Sequence, residues 1–159
     1  MRFSVKLLVL FLLLNFGALA LGSWLMGDIS TNEWYQSAEK APWTPPGWAF
    51  GAAWFTLMAL FAVFMTIMLS RTRNSQPWIF LYVIQWLLNV SWNPVFFVQH
   101  MVITGLVILA ALLVVLLAML VRARRISRPA IFLLLPYVLW ICVAISMNAY
   151  IWHMNGSGP

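Results

Sequence analysis

The stretch VITGLVILAALLVVLLAMLV, residues 102–121, contains twenty consecutive residues without a charge. The hydrocarbon core of a bilayer is about 30 Å thick, and a helix needs about 20 mostly apolar residues to cross it. The stretch therefore predicts a transmembrane helix. Whether this helix is a single anchor or one member of a bundle depends on the rest of the chain.

Four further apolar runs of similar length accompany it. The chain of 159 residues is 64% hydrophobic and 8% charged, whereas soluble domains are about half apolar and about a quarter charged. The composition predicts an all-α membrane protein, a five-transmembrane-helix bundle with a long structured first loop. One domain would cover residues 1–159, with spans at about 5–26, 48–69, 78–97, 102–121 and 130–152.

The first run has an alternative interpretation. Arg2 and Lys6 precede an apolar core, and the sequence ALA at residues 18–20 could be cleaved, as in a signal peptide. The apolar run continues to Met26, which is full spanning length, and this favours a transmembrane helix.

The basic residues predict the orientation. Eight of them flank one set of helix ends, and on the other side lies only Lys40, in the loop that also holds all three acidic residues. The positive-inside rule then places the N-terminus inside and the C-terminus outside. Because the charges flank apolar segments, the net charge of +6 indicates membrane topology and no nucleic-acid partner. The eight are Arg2, Lys6, Arg71, Arg73, Arg122, Arg124, Arg125 and Arg128.

The first loop, GDISTNEWYQSAEKAPWTPPG at residues 27–47, is much longer than the others. Thr31 or Asn32 could cap a short helix reaching Ala38, and three prolines then forbid helix. Long structured loops are usually functional. Its aromatic residues fit either a lid that packs on the bundle or an interfacial aromatic belt, and the pattern alone leaves both open.

Several chemistries are disfavoured. No Asp or Glu follows Glu39, which argues against a proton-driven transporter. The single cysteine, Cys142, excludes an intrachain disulfide and a cysteine-based metal site. Both histidines, His100 and His153, lie near predicted membrane surfaces, so we expect no buried haem and no metal site.

Polar and aromatic residues recur on helix faces at three- and four-residue spacing. Such stripes fit either helix packing through hydrogen-bonded amides or an aromatic pocket with a few polar groups. Both interpretations remain open. The stripes are Trp54 with Met58; Asn89 with Trp92, Asn93 and Phe96; and Trp140 with Ala144 and Asn148.

Four motifs carry a family resemblance. They are EWY at residues 33–35, KAPWTPPGW at 40–48, NVSWNPVFF at 89–97 and PYVLW at 136–140. In this order and spacing they resemble the translocator protein/tryptophan-rich sensory protein family, also called the peripheral-type benzodiazepine receptor family, over essentially the whole chain.

The resemblance implies a pocket closed by the first loop. It implies binding of tetrapyrroles such as protoporphyrin IX and of other flat apolar molecules, including isoquinoline carboxamides and benzodiazepines. It also implies a homodimer in contact with membrane lipid, with porphyrin as ligand and no required cofactor. Carried over by motif, the ligand-binding residues would be Trp34, Tyr35, Trp43, Trp54, Met58, Asn89, Trp92, Phe96, Trp140, Ala144 and Asn148.

The chain departs from the animal members at the sterol-recognition motif, because no basic residue follows Tyr150. This weakens a sterol role and favours a bacterial cell membrane. Two functions are therefore compared. The first is a porphyrin-binding sensor or translocator. The alternative, suggested by some members, is light- and oxygen-dependent porphyrin degradation, in which Trp54 and Trp140 would be catalytic.

Overall fold

The computed structural model describes residues 3–156. Within this range the chain is helical, without β-strands, and five of its helices are long and apolar enough to cross a membrane. The predicted five-helix bundle is thus confirmed. The helices are α1 (Val5–Met26), α2 (Glu33–Ser37), α3 (Gly47–Arg71), α4 (Gln76–Phe97), α5 (Val102–Ala123) and α6 (Ile131–Asn155). Of the residues that predict orientation, Arg2 lies outside the described range.

Local sequence signals set several helix ends. The Ser4 hydroxyl accepts a hydrogen bond from the Leu7 N–H at 3.4 Å and so caps α1. Gly27, with φ of +72°, follows the last residue of α1, in a conformation that residues with a Cβ rarely adopt. Pro77 occupies the first turn of α4, where a missing N–H is tolerated. By contrast, α4 continues through Pro94 to Phe97.

The five long helices form a closed ring. Going around it, α1 packs on α4, α4 on α5, α5 on α6, α6 on α3, and α3 on α1. Large side chains that are fully buried fill the core, and burial of such side chains is a main source of packing stability. They include Phe61, Met65, Leu112, Leu116, Tyr137 and Ile141.

Two buried polar contacts link helices within the bundle. The Asn15 amide donates to the Met58 carbonyl at 2.9 Å and accepts from the Tyr82 hydroxyl at 2.7 Å, which joins α1 to α3 and α4. The Gln85 amide donates to the Tyr137 hydroxyl at 2.8 Å and joins α4 to α6. Because lipid offers no hydrogen-bond partner, buried polar groups in a membrane must find partners within the protein.

The two ends of the bundle differ in charge. The starts of α1, α4 and α6 meet the ends of α3 and α5 at one end, which carries every described Lys and Arg side chain except Lys40. The opposite end carries the first loop with its three acidic residues. We refer to these as the basic end and the lid end, and to residues 27–46 as the lid.

The lid contains short local structure. A single 3-10 turn, Ile29–Thr31, leads to α2, and the Asn32 side chain accepts from the Tyr35 N–H at 3.0 Å. Asn32 rather than Thr31 is therefore the cap of the predicted short helix, which ends at Ser37. The segment after α2 is non-helical and leads to a turn in which the Thr44 N–H donates to the Ala41 carbonyl.

Candidate ligand-binding cavity beneath the lid

A small cavity lies inside the lid end of the ring. Its volume is about 40 Å³, enough for roughly one to three water molecules. The lid, α3, α4, α5 and α6 all contribute to its wall, so the lid and four helices of the ring line it together. The lining residues are Tyr35, Thr44, Phe50, Trp54, Trp92, Phe96, Phe97, Leu109, Ala144, Met147, Asn148 and Ile151.

Aromatic rings of α4 form one side of the cavity. Trp92 and Phe96 are one helical turn apart and stack nearly parallel, with ring centroids 5.2 Å apart. Phe97 meets both rings edge-on, at 5.4 Å from Trp92 and 4.9 Å from Phe96. Edge-to-face and offset stacking are the favoured aromatic geometries, so this wall is rigid and apolar.

Two side chains in the wall have fully buried polar atoms without a hydrogen-bond partner among the described residues. They are the Asn148 amide, whose Nδ2 and Oδ1 are both unpaired, and the Trp92 indole Nε1. Asn148 is 2% exposed and Trp92 7% exposed. A buried unpaired polar group costs about 1–3 kcal/mol. Both residues line the cavity, so these two unpaired donors and one unpaired acceptor lie next to it.

Gly105 on α5 gives these groups room. A Cβ at this position would lie 3.1 Å from Asn148 Nδ2 and 3.4 Å from Trp92 Nε1. Both N–H-bearing atoms thus approach the same point beside α5. A larger residue at position 105 would crowd both of them.

The first half of the lid is fastened to the end of α4. The Asn32 side chain donates to the Phe97 carbonyl at 2.7 Å. The Trp34 ring stacks on His100 with centroids 4.5 Å apart and meets Phe96 edge-on at 5.5 Å. The lid thus contacts the aromatic wall of the cavity directly, as expected for a cover and not for a free interfacial belt.

The second half of the lid is fastened to the last turns of α6. The Trp43 indole donates to the Ser146 hydroxyl at 3.1 Å, and its ring meets Tyr150 edge-on at 5.6 Å. Asn155 holds the backbone of Glu39 with two hydrogen bonds. Because prolines supply several of the residues near Trp43, fewer backbone N–H groups need partners in this non-helical segment.

One cation lies at the rim. Lys40 Nζ is 4.7 Å from the centroid of the Tyr35 ring and donates to the carbonyls of Gln36 and Ala38. Burial raises the pKa of the Tyr35 hydroxyl, so this side chain stays neutral. Lys40 thus places a positive group at the rim, whereas the groups lining the cavity are uncharged.

Six of the sequence-predicted site residues line the cavity. They are Tyr35, Trp54, Trp92, Phe96, Ala144 and Asn148.

The other five lie elsewhere. Trp34 packs outside Phe96, and Trp43 is half-exposed against α6. Met58 and Asn89 are buried but do not line the cavity. Trp140 lies in a groove on the outer face between α3 and α6, with Phe50 between it and the cavity.

The sequence interpretation missed six lining residues, namely Thr44, Phe50, Phe97, Leu109, Met147 and Ile151. Met147 and Ile151 follow Ala144 at helical spacing, so extending that stripe would have found them. Leu109 lies in a uniformly apolar helix and carries no such signal. Within residues 3–156 no group of three His, Cys, Asp or Glu side chains could hold a metal ion.

Comparison with known proteins agrees with this architecture. The chain is 28% identical to the protein CrtK of Rhodobacter capsulatus over 129 residues, 79% of this chain and 81% of that one. It is 32% identical to the tryptophan-rich protein TspO of Archaeoglobus fulgidus over 133 residues, 79% and 82% of the two chains. It is 29% identical to the translocator protein of Ovis aries over 126 residues, 77% and 75% of the two.

The fold and the cavity define an integral, multi-pass helical membrane protein with a lidded internal cavity. The profile of the TspO/MBR family matches residues 9–153. The chain belongs to this family of membrane sensor and translocator proteins.

Proposed function

We propose that the protein binds a tetrapyrrole such as protoporphyrin IX beneath the lid and acts as a membrane sensor or translocator for it. The observation that carries the proposal is the buried, unpaired Asn148 amide beside the unpaired Trp92 indole in an aromatic wall. A flat macrocycle would stack on the aromatic faces, and its pyrrole nitrogens would supply the missing hydrogen-bond partners.

The volume of the cavity sets a condition on binding. Sites for drug-sized ligands enclose about 300–1,000 Å³, far more than the 40 Å³ present here. Binding would therefore require the lid to move away from α4 and α6. The contacts that must break are hydrogen bonds and aromatic contacts at the surface of the ring, not buried core packing.

The charges favour one orientation of the ligand. The cavity lining is uncharged, and Lys40 lies at the rim above Tyr35. A carboxylate buried without a cation is costly, whereas one beside a lysine is stabilised. The apolar edge of the macrocycle would enter first, and its carboxylates would remain near Lys40. Isoquinoline carboxamides and benzodiazepines would compete for the same cavity through their flat rings.

A dark titration with protoporphyrin IX, followed by tryptophan fluorescence in detergent, tests the proposal. We expect saturable quenching that Ala144→Phe abolishes, because the new ring fills the cavity. Val143→Phe is the matched control, since the neighbouring side chain lines the outer groove. Quenching that does not saturate, or that is equal in both variants, would contradict the proposal.

One observation favours porphyrin photodegradation as a second candidate. Trp54 lines the cavity, where its indole would contact a bound photosensitiser. Trp140 would act only through Phe50, which contacts both tryptophans, with ring centroids 6.4 Å from Trp54 and 5.4 Å from Trp140.

The charge distribution supports a placement in the membrane. With the basic end inside, the N-terminus would be inside and the lid and C-terminus outside, in a bacterial cell membrane. The exposed apolar side chains of the helices would face lipid and, in a homodimer, the second copy. Cysteine labelling from each side of intact vesicles tests the orientation, with Cys142 first replaced by Ser.

A further inference from the structure

The basic end carries an unneutralised charge cluster. Seven exposed Lys and Arg side chains lie there, and all acidic residues of the chain lie in the lid at the other end. One of these basic side chains is held by a specific contact, at the place where α3 ends beside the turn that joins α5 to α6. There Arg71 Nη1 donates to the Ser127 hydroxyl at 3.2 Å.

This contact holds the Arg71 guanidinium in place. Ser127 is 7% exposed, and its N–H donates to the Ala123 carbonyl at 2.9 Å, so the backbone that carries the hydroxyl is held in place. Arg71 itself is exposed and uses one of its N–H donors in this bond. Arg128, adjacent to Ser127, is also exposed. Guanidinium groups of this kind suit bidentate binding of phosphate oxygens.

The first backbone N–H groups of α6 are not available as hydrogen-bond donors to an anion. The N–H groups of Ile131, Phe132 and Leu133 already donate to the carbonyls of the preceding turn, at 3.1–3.2 Å. The donors available to an anion are therefore the arginine side chains.

An apolar surface leads away from this point along the same helix pair. Phe132, in the first turn of α6, is 73% exposed. The face it shares continues through Pro136 to Leu139 and Val143, at helical spacing. These last three residues form one wall of an open groove of about 470 Å³ between α3 and α6, and Ala52 and Ala53 form part of the other wall.

We propose that this surface binds an anionic phospholipid, with its phosphate between Arg71 and Arg128 and one acyl chain along Phe132 into the groove. A phosphate at the end of a spanning helix lies at headgroup depth, where basic clusters attract anionic lipids. The groove opens to the hydrocarbon core, so the occupant must carry an apolar chain as well as the phosphate. A soluble phosphate would leave the groove unused.

Native mass spectrometry of the delipidated full chain, titrated with phosphatidylglycerol or phosphatidylcholine of equal chain length, tests this proposal. We expect phosphatidylglycerol to bind at least about fivefold more tightly, since each basic group near the surface attracts anionic lipid. Arg71→Gln and Arg128→Gln should each remove most of that preference. Arg71→Lys, which keeps the charge, should retain part of it.

Two control variants make the result specific. Lys6→Gln removes an exposed charge from the same end but on α1, across the ring from the α5–α6 turn. Ala52→Leu narrows the groove and should weaken the binding of both lipids. Ala110→Leu changes an exposed alanine on α5 and should leave the binding of both lipids unchanged. Size-exclusion profiles check that each variant is folded. If Arg71→Gln misfolds, Arg128→Gln, which lies at an exposed turn, tests the role of the arginines in its place.

Three outcomes would overturn the proposal. Equal binding of the two lipids would exclude an anionic headgroup site. An equal loss in Lys6→Gln and Arg71→Gln would show only diffuse attraction to the basic end. Dissociation of a dimer by Ala52→Leu, with lipid binding unchanged, would assign the groove to a second copy of the chain.

Discussion

Asn155, the last residue of α6, holds Glu39 of the lid by its backbone. Its Oδ1 accepts from the Glu39 N–H at 2.9 Å, and its Nδ2 donates to the Glu39 carbonyl at 3.1 Å. The two residues are 116 positions apart in the chain. This pair ties the second half of the lid to the bundle, in addition to the contact between Trp43 and Ser146.

Removing the Asn155 amide should loosen the lid. Without it, the Glu39 N–H loses its protein partner, and exposed hydrogen bonds each contribute about 0.5–1.5 kcal/mol. We expect Asn155→Ala to accelerate hydrogen–deuterium exchange of residues 38–46 by roughly three- to tenfold. Asn74→Ala, at the basic end, should leave that segment unchanged. Identical exchange in both variants would show that the pair does not hold the lid.

Asn148→Leu should have opposite effects on stability and binding. The Asn148 amide is buried without a partner, so replacing it with an apolar side chain of similar size removes a cost of about 1–3 kcal/mol. We expect the melting temperature in detergent to stay the same or rise. Porphyrin affinity in the dark should fall about tenfold, because the ligand loses a hydrogen bond to the uncharged Asn148 amide in a buried site.

Asn15→Leu provides the matched comparison for that variant. Asn15 is equally buried but fully paired, to the Met58 carbonyl and the Tyr82 hydroxyl. Its loss should lower the free energy of unfolding by about 1–3 kcal/mol and leave porphyrin affinity of the folded fraction unchanged. If Asn148→Leu destabilised the protein as much as Asn15→Leu, the Asn148 amide would not be unpaired.

Gly105→Ala should weaken binding by crowding the polar pair. The added methyl group would lie 3.1 Å from Asn148 Nδ2, which is closer than an ordinary van der Waals contact of about 3.5–4.0 Å. We expect a several-fold loss of affinity in the fluorescence titration. Gly17→Ala is the control, because a Cβ there meets nothing within 4 Å. A normal affinity in Gly105→Ala would place the ligand away from Asn148.

Light separates binding from catalysis. If the protein only binds porphyrin, illumination of the complex should give the same products as free porphyrin. If it degrades porphyrin, bilin absorption should appear. Trp54→Phe should then suppress bilin formation more than Trp140→Phe, because only Trp54 lines the cavity. Conversion by both variants at the parental rate would exclude a tryptophan radical.

The features that could be predicted from the sequence were those that depend on the length of an apolar run or on the spacing of residues along one helix. The spanning helices follow from apolar runs such as residues 102–121, and the short lid helix follows from Asn32 as a cap followed by Glu33. The stripe of Trp140, Ala144 and Asn148 follows from helical spacing, and its members Ala144 and Asn148 line the cavity.

What could not be predicted depends on helix neighbours. Asn15 sits in a run of leucines, and its partners on α3 and α4 are set by packing that a periodic pattern does not encode. Trp140 closes one of the family motifs and Phe50 lies in none of them, yet only Phe50 lines the cavity. The deciding factor is the rotation of α3 and α6 about their axes, which depends on tertiary contacts.

The most direct test of the account is an experimental structure of the full chain with protoporphyrin IX bound in the dark. The account predicts one macrocycle stacked on the Trp92 and Phe96 wall, a pyrrole nitrogen within hydrogen-bond distance of Asn148, and the lid displaced from α6. A macrocycle found only on the lipid-facing surface, with the cavity still closed at about 40 Å³, would contradict it.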